Sequence, residues 1–113
     1  MPTPTDEGFA RLDVQTIKDR MDEGWSPFIL DVRKPHEVAI VALDYDAAVP
    51  HEDVGDNLDD IPKDRPVLVH CKMGGRSAKA AEVLARAGYT DVTNMEGGIA
   101  AWAEQIDTSL PTY

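Results

Sequence analysis

A chain of 113 residues, of which 42% are hydrophobic, is long enough to bury one core and too short for several domains. Its formal net charge of −10 disfavours nucleic acid and anionic membranes as partners, and no run approaches the roughly 18 apolar residues that span a bilayer. The single cysteine excludes an internal disulfide and is typical of a reducing compartment, so we expect a cytoplasmic protein.

The chain begins with a segment, residues 1–8, that is acidic and rich in proline and threonine. This composition predicts a flexible tail or a linker, followed by one folded domain over residues 9–113. Asp13 has the side chain of a helix N-cap, and the helix that it starts is predicted to end at Gly24. The apolar run Phe28–Val32 predicts a short buried strand.

Helical and strand patterns alternate over the rest of the chain. The next predicted elements are a helix from Pro35 to Val41, a weak strand at Ala47–Val49 and an acidic, irregular segment over residues 51–65 with one helical turn near Leu58. The last ones are a strand at Val67–His70, a helix at Ser77–Ala87 that ends at Gly88, a strand at Val92–Met95 and a helix at Ile99–Ile106. This alternation predicts an α/β fold with a mostly parallel sheet, in which ligands bind beyond the carboxyl ends of the strands.

Cys71 directly follows the clearest of these strands, in the sequence Val-His-Cys-Lys-Met-Gly-Gly-Arg-Ser that spans residues 69–77. The helix predicted after this loop directs its N-terminus at the thiol, with Ser77 as a candidate N-cap. Helix N-termini and convergent backbone N–H groups stabilise negative charge and lower a cysteine pKa from its usual value of about 8.5. The alternative for a lone cysteine is a small, inert, buried hydrophobe.

The other residues of the loop favour a reactive thiol. Gly74 and Gly75 allow backbone conformations in which N–H groups converge on one point. Lys72 and Arg76 add positive charge at that point, Arg76 as a bidentate fork and Lys72 as a mobile point charge. Lys72 is equally well explained as a solvated surface residue, and a salt bridge to Asp31 is the structural alternative for Arg76.

Histidines and carboxylates are weaker candidates. His70 precedes the thiol, but neighbouring side chains of a strand point to opposite faces, so we expect His70 below the loop rather than beside Cys71. Asp31 ends a predicted strand and either anchors the site or faces solvent. No group of His, Cys and carboxylate residues has the spacing of metal ligands, so we expect neither a metal nor another cofactor.

Three segments, in this order, resemble the rhodanese-like sulfurtransferase family. They are an Asp-Val-Arg-x-x-x-Glu segment over residues 31–37, a Cys-x-x-Gly-x-Arg-Ser loop over residues 71–77 and a Glu-Gly-Gly-Ile-Ala-Ala-Trp segment over residues 96–102. The resemblance covers nearly the whole chain, from about residue 13 to residue 102. It implies a three-layer fold with a five-stranded parallel sheet flanked by helices on both faces.

The resemblance also implies an activity and the residues that carry it. Cys71 receives a sulfane sulfur as a persulfide and passes it to a nucleophile, as in thiosulfate sulfurtransferases. The substrate-binding or anion-binding loop corresponds to residues 72–77. Asp31 and Arg33, in the first of the three segments, are candidates for residues that hold the loop in place without touching the substrate.

The chain is most similar to the rhodanese domains that follow an E1-like adenylyltransferase. Lys72, Arg76 and residues 107–113 carry this likeness. Such domains supply sulfur to ubiquitin-like carrier proteins in molybdopterin, thiamine or thiolated-tRNA pathways, which implies a carrier of this kind as acceptor. Residues 42–47 depart from the family, because they replace its usual His-Ile-Pro-Gly-Ala turn. Met73 stands where well-studied thiosulfate enzymes carry lysine, which favours a protein persulfide, such as that of a cysteine desulfurase, over thiosulfate as donor.

Two other function classes share part of this pattern. Cysteine phosphatases and arsenate reductases also place an arginine after a loop that begins with cysteine. Here four residues separate Cys71 from Arg76, one fewer than in those enzymes, and the tighter ring of N–H groups suits a single sulfur atom and is cramped for phosphate. The other class is a non-catalytic rhodanese-like binding module. Such modules usually lack the cysteine that this chain retains.

Overall fold

A computed structural model describes residues 7–113, so residues 1–6 of the predicted tail lie outside the described residues. The strands are β1 (Ala10–Asp13), β2 (Phe28–Asp31), β3 (Ala47–Ala48), β4 (Val67–His70) and β5 (Val92–Glu96). The helices are α1 (Val14–Asp22), α2 (Pro35–Ile40), α3 (Gly75–Arg86) and α4 (Gly98–Gln105), with short 3₁₀ helices at His51–Asp56 and Leu58–Asp60. None of the helices in this part of the chain is long and apolar enough to cross a membrane.

The strands form one parallel sheet of five strands in the order β1-β5-β4-β2-β3. The central strand, β4, is buried along its whole length and pairs with β2 on one side and β5 on the other. A continuous apolar run is typical of a strand that is covered on both faces, which is why this strand is the clearest in the sequence. The prediction of an α/β fold with a five-stranded parallel sheet is confirmed.

Helices cover both faces of the sheet, and successive side chains of the central strand pack against the helices of opposite faces. Val67 and Val69 belong to a core cluster with Ala80, Ala81 and Leu84 of α3. Leu68, between them in sequence, belongs to a second cluster with residues of α1, and with side chains of α4 packed against it. The core is therefore split into two layers by the sheet, and β4 contributes to both.

Local signals correctly predict where several elements begin and end. Asp13 caps α1, because its Oδ1 accepts a hydrogen bond from the backbone N–H of Thr16 at 2.8 Å. The chain leaves this helix through Gly24, whose φ of +107° is the left-handed conformation that glycine favours. Pro35 lies in the first turn of α2, as predicted. That helix ends one residue earlier than predicted, because Val41 is already extended, with a φ of −159°.

The residue pattern does not predict β1. This strand has only four residues, two of them the charged Arg11 and Asp13. Within the described part of the chain it lies at the edge of the sheet and pairs only with β5. Because short edge strands need little apolar sequence, the pattern of hydrophobic residues is too weak to indicate one here.

The start of α4 packs against the backbone that follows β4. The N–H of Ile99 donates to the carbonyl of Cys71 at 2.9 Å, and the N–H of Ala100 donates to the carbonyl of Lys72 at 3.0 Å. Gly98 permits this close approach, since a Cβ at this position would lie 2.5 Å from the Cys71 carbonyl oxygen. The N-terminus of α4 thus supports the backbone of the cysteine loop.

We predict that Gly98→Ala destabilises the protein by about 2 kcal/mol or more. The substitution places a Cβ against two carbonyl groups, and the φ of +60° at this position is itself strained for any residue with a Cβ. Thermal or urea unfolding of wild type and variant measures the decrease in the free energy of unfolding. Gly55→Ala is the matched control, because a Cβ there would meet only Val83 at an ordinary distance of 3.7 Å. Equal stability of the two variants would contradict the proposed close packing.

Candidate active site

Cys71 is held in a cradle of hydrogen-bond donors. Its side chain is 1% exposed, and its Sγ accepts hydrogen bonds from the N–H of Gly74 at 3.0 Å and of Ser77 at 3.4 Å. The Ser77 hydroxyl lies 3.3 Å from the same sulfur. Burial by itself raises the pKa of the Cys71 thiol, but hydrogen bonds from the Ser77 hydroxyl and from the N–H groups of Ser77, Gly74 and Met73 outweigh it and lower that pKa. The arrangement therefore favours a thiolate.

The cradle depends on an early start of α3. Gly74 has a φ of +107° and is the N-cap of this helix, so Gly75 is its first residue. The predicted start at Ser77, and the prediction that Ser77 caps the helix, are wrong. The left-handed turn at Gly74 begins the helix two residues earlier and leaves Ser77 in its first turn, where backbone N–H groups have no partner within the helix. The N–H of Ser77 is consequently free to donate to the sulfur of Cys71.

Asn94, which is not among the site residues predicted from the sequence, holds the loop from the side of β5. Its buried amide donates from Nδ2 to the carbonyl of Gly74 at 3.3 Å and also to the side chain of Glu96. The Ser77 hydroxyl also lies 3.2 Å from the same Gly74 carbonyl, which is the alternative acceptor for its one hydrogen when the sulfur of Cys71 does not take it. An amide in the middle of a predicted buried strand is the available signal, because buried polar groups almost always have a bonded partner.

Arg76 forms an ion pair with Glu37. Its two terminal nitrogens donate to the two carboxylate oxygens of Glu37, at 2.6 and 2.9 Å. Hydrogen bonds from Arg76 hold the pKa of Glu37 far below its ordinary value, against the opposing effect of burial. The alternative of a salt bridge between Arg76 and Asp31 is wrong, because the side chain reaches α2 instead of the end of β2. Glu37 ends the Asp-Val-Arg-x-x-x-Glu segment, but the sequence alone does not indicate that its partner is Arg76.

Asp31 and Arg33 form a second ion pair, and this one is fully buried. Arg33 donates to Asp31 from Nε at 3.0 Å and from Nη2 at 2.7 Å. It also donates to the carbonyl of Val41 at 2.7 Å and to the hydroxyl of Tyr113 at 3.0 Å. Asp31 therefore faces the interior, and the pair fixes the segment that follows β2.

His70 is unsuited to act as the base for Cys71. Its side chain is wholly buried, and neither ring nitrogen has a hydrogen-bond partner among residues 7–113. Burial lowers the pKa of this histidine, outweighing the attraction of Asp31, whose Oδ2 lies 3.8 Å from Nε2. The neutral ring makes no hydrogen bond to the thiol, which agrees with its expected place below the loop.

The outer side of the loop carries one cation and one apolar side chain. The Nζ of Lys72 lies 4.5 Å from the centroid of the Tyr113 ring, within the range of a cation–π contact. Met73 is 70% exposed. A cavity of about 310 Å³ adjoins this side, between Lys72, Tyr113 and α4. Within residues 7–113, no group of His, Cys, Asp and Glu side chains is placed to hold a metal ion.

Comparison with known proteins gives matches over most of the chain. The family model for the rhodanese-like domain matches residues 13–105. A probable adenylyltransferase/sulfurtransferase of Mycobacterium tuberculosis is 35% identical over 99 residues, covering 86% of this chain and 25% of the relative. A sulfurtransferase of Allochromatium vinosum is 33% identical over 92 residues, covering 81% of this chain and 86% of the relative. The chain thus spans about a quarter of the first relative and most of the second.

Solved structures share the fold. A rhodanese-like domain protein from Staphylococcus aureus superimposes with a TM-score of 0.74 at 30% identity, covering 92% of this chain and 98% of that chain. A rhodanese-related protein from Thermoplasma volcanium gives a TM-score of 0.75 at 26% identity, covering 86% of this chain and 93% of that chain. The likeness in fold therefore extends over nearly all of both chains.

We predict that Cys71 reacts with iodoacetamide at a lower pH than an ordinary thiol, because the lowered pKa leaves more thiolate at a given pH. Ser77→Ala removes the hydroxyl beside the sulfur and should shift the pH profile of alkylation upward. The rate is measured as a function of pH for wild type, Ser77→Ala and the control Ser26→Ala, which lies at an exposed position. A profile unchanged by Ser77→Ala would contradict the role given to this hydroxyl.

Proposed function

The chain belongs to the rhodanese-like domain family, and we propose that it transfers sulfane sulfur through a persulfide on Cys71. Its sulfurtransferase-named relatives support a sulfurtransferase class in general. The observation that carries the finer proposal is the cradle around the Cys71 sulfur. Donors from Gly74 and Ser77 converge on this one atom, and in the proposed cycle that atom accepts, bears and releases the transferred sulfur.

In the first half of the cycle, the Cys71 thiolate attacks the outer sulfur of the donor. A new bond forms between Sγ and that sulfur while the donor's own sulfur bond breaks, and its leaving group takes the electron pair. With thiosulfate the leaving group is sulfite, and with a protein persulfide it is a cysteine thiolate. Because a leaving group departs more easily when its own pKa is low, thiosulfate and a protein persulfide are both competent donors.

The intermediate is a persulfide whose negative charge lies mainly on the outer sulfur. Backbone N–H groups and a helix N-terminus stabilise such a charge without having to reorganise during the reaction. The N–H groups of Lys72, Gly75 and Arg76 belong to the same turn as the donors to Sγ, and we assign them to the outer sulfur. In the second half of the cycle, a nucleophile attacks that sulfur and the Cys71 thiolate leaves.

We propose that the acceptor is a ubiquitin-like sulfur-carrier protein. Support comes from the relatives named adenylyltransferase/sulfurtransferase, in Mycobacterium tuberculosis and in the yeast Ogataea parapolymorpha, whose matching part is this domain. For the donor, a protein persulfide such as that of a cysteine desulfurase is favoured over thiosulfate. Thiosulfate is a small dianion that needs cations at the loop, and the exposed position 73 carries Met.

The two alternative classes remain less favoured for physical reasons. A phosphate ester would require room for three equatorial oxygens, whereas the donors here converge on one buried sulfur atom. A binding module without catalysis would not need a thiol whose pKa is lowered by a built cradle. Both alternatives are open to the same test, because neither requires sulfur to become bound to Cys71.

We predict that wild-type protein incubated with a sulfane-sulfur donor gains the mass of one sulfur atom, which a reductant removes. Cys71→Ser should gain no sulfur and retain its fold, since the change is nearly isosteric. The matched control is the double variant Cys71→Ser/Ser109→Cys, which restores a thiol at an exposed position outside the cradle and should not turn over. Intact-protein mass spectrometry and a transfer assay give both readouts. Turnover in either variant would sink the mechanism.

We predict that Met73→Lys raises kcat/KM for thiosulfate by about fivefold, the effect of roughly 1 kcal/mol of attraction between charges in water. The added ammonium attracts the dianion at the exposed edge of the loop, so the gain should shrink as salt is added. Val83→Lys, on the exposed side of α3, adds the same charge away from the loop and is the control. An equal gain in both variants would indicate a general charge effect.

A further inference from the structure

Both cations that flank the thiol already have partners in this structure. The two terminal nitrogens of Arg76 bind the carboxylate of Glu37, and Lys72 lies over the ring of Tyr113. The charge of the carboxylate offsets that of the guanidinium, so this pair gives an approaching anion little net attraction. Glu37 is ionised at neutral pH, because Arg76 holds its pKa far below the ordinary value despite burial. Its charge therefore opposes a second anion at Arg76.

Tyr113 links these two contacts. Its hydroxyl donates to Glu37 Oε2 at 2.8 Å and accepts from Arg33 Nη1 at 3.0 Å, while its ring is 4.5 Å from the Lys72 ammonium. Arg33 is itself fixed by the buried carboxylate of Asp31. One side chain thus contacts the buried ion pair, the Lys72 ammonium and Glu37, the partner of Arg76, and it does so while 36% exposed at the surface.

We propose that Glu37 and Tyr113 determine donor specificity by keeping Arg76 and Lys72 engaged, which disfavours small free dianions such as thiosulfate. A sulfur carried on a protein does not depend on these charges to the same degree, because contacts elsewhere between the two proteins supply binding. This inference rests on the proposed sulfur transfer at Cys71. It assigns a specificity role to two residues outside the cysteine loop, where the loop sequence by itself suggests an open anion site.

The test measures binding of a dianion that cannot react. Sulfate is added to the protein, and its dissociation constant is obtained from the protection of Cys71 against iodoacetamide, a neutral reagent. Glu37→Gln removes the opposing charge and should tighten sulfate binding at least fivefold. Tyr113→Leu frees Lys72 and removes one donor to Glu37, and should tighten binding by a smaller factor. Since Tyr113 is partly exposed, Tyr113→Leu should fold, and it tests the proposal on its own if Glu37→Gln fails to fold.

Controls separate this effect from a general change of charge. Glu52→Gln makes the same charge change at an exposed position, and Tyr45→Leu removes another exposed tyrosine. Both should leave sulfate binding as in wild type. In the double variant Glu37→Gln/Arg76→Ala the gain should disappear, because the released guanidinium is its cause. A gain that persists without Arg76, or one equalled by Glu52→Gln, would overturn the proposal.

A parallel assay of sulfur transfer keeps this inference distinct from the proposed function. Sulfate protection needs no transfer, so a protein that never forms a persulfide contradicts the proposed function and leaves the binding result to be judged separately. If transfer occurs, kcat/KM for thiosulfate should rise in Glu37→Gln, whereas kcat/KM for a protein persulfide should change by less than twofold. Equal changes for the two donors, or sulfate binding that neither variant tightens, would contradict the specificity role.

Discussion

The left-handed turn at Gly74 is the constraint on which the site depends. It starts α3 early enough for the N–H groups of Gly74 and Ser77 to meet at one sulfur atom. A side chain with a Cβ would be strained at a φ of +107° and would also press on the backbone of Gly97, whose nitrogen would lie at 3.3 Å. The lowered pKa of the Cys71 thiol therefore depends on the donors that this turn brings to the sulfur, which are the Ser77 hydroxyl and the backbone N–H groups, since burial by itself would favour the neutral thiol.

Residues of α3, β5 and α4 hold this turn in place. Asn94 donates to the Gly74 carbonyl, the Ser77 hydroxyl lies beside that carbonyl, and α4 donates its first free N–H groups to the carbonyls of Cys71 and Lys72. These contacts come from β5 itself and from the helices that follow β4 and β5, which are neighbouring strands of the sheet. The parallel order of the sheet thus brings the loop and its supports to the same edge, as is usual for sites in α/β folds.

The charges around the loop form a connected set. The buried pair of Asp31 and Arg33 orients Tyr113, which in turn contacts Glu37, the partner of Arg76. Removing two charges from water costs free energy that their attraction only partly recovers. A buried pair of this kind is therefore better understood as fixing geometry than as a source of stability, and here it fixes the residues next to the thiol.

Sequence reasoning finds the elements whose signals are local. The apolar run of β4, the cap at Asp13 and the position of Cys71 after a strand need only a few neighbouring residues to be recognised. Contacts between distant residues are different, because Arg76 and Glu37 are 39 positions apart and Arg33 and Tyr113 are 80 positions apart. No local pattern encodes such pairs. The early start of α3 is also missed, since a glycine pair by itself does not say which glycine adopts the left-handed turn.

The most direct measurement follows the backbone N–H groups of Gly74 and Ser77 by ¹H–¹⁵N NMR while the Cys71 thiol is titrated. If hydrogen bonds from these groups stabilise the negative charge of the sulfur, both resonances should shift with a single midpoint, which is that of the thiol. Neither resonance should shift in Cys71→Ser. Gly24, another left-handed glycine that lies after α1, is an internal control and should not respond. Resonances of Gly74 and Ser77 that remain unchanged while the thiol ionises would contradict the account.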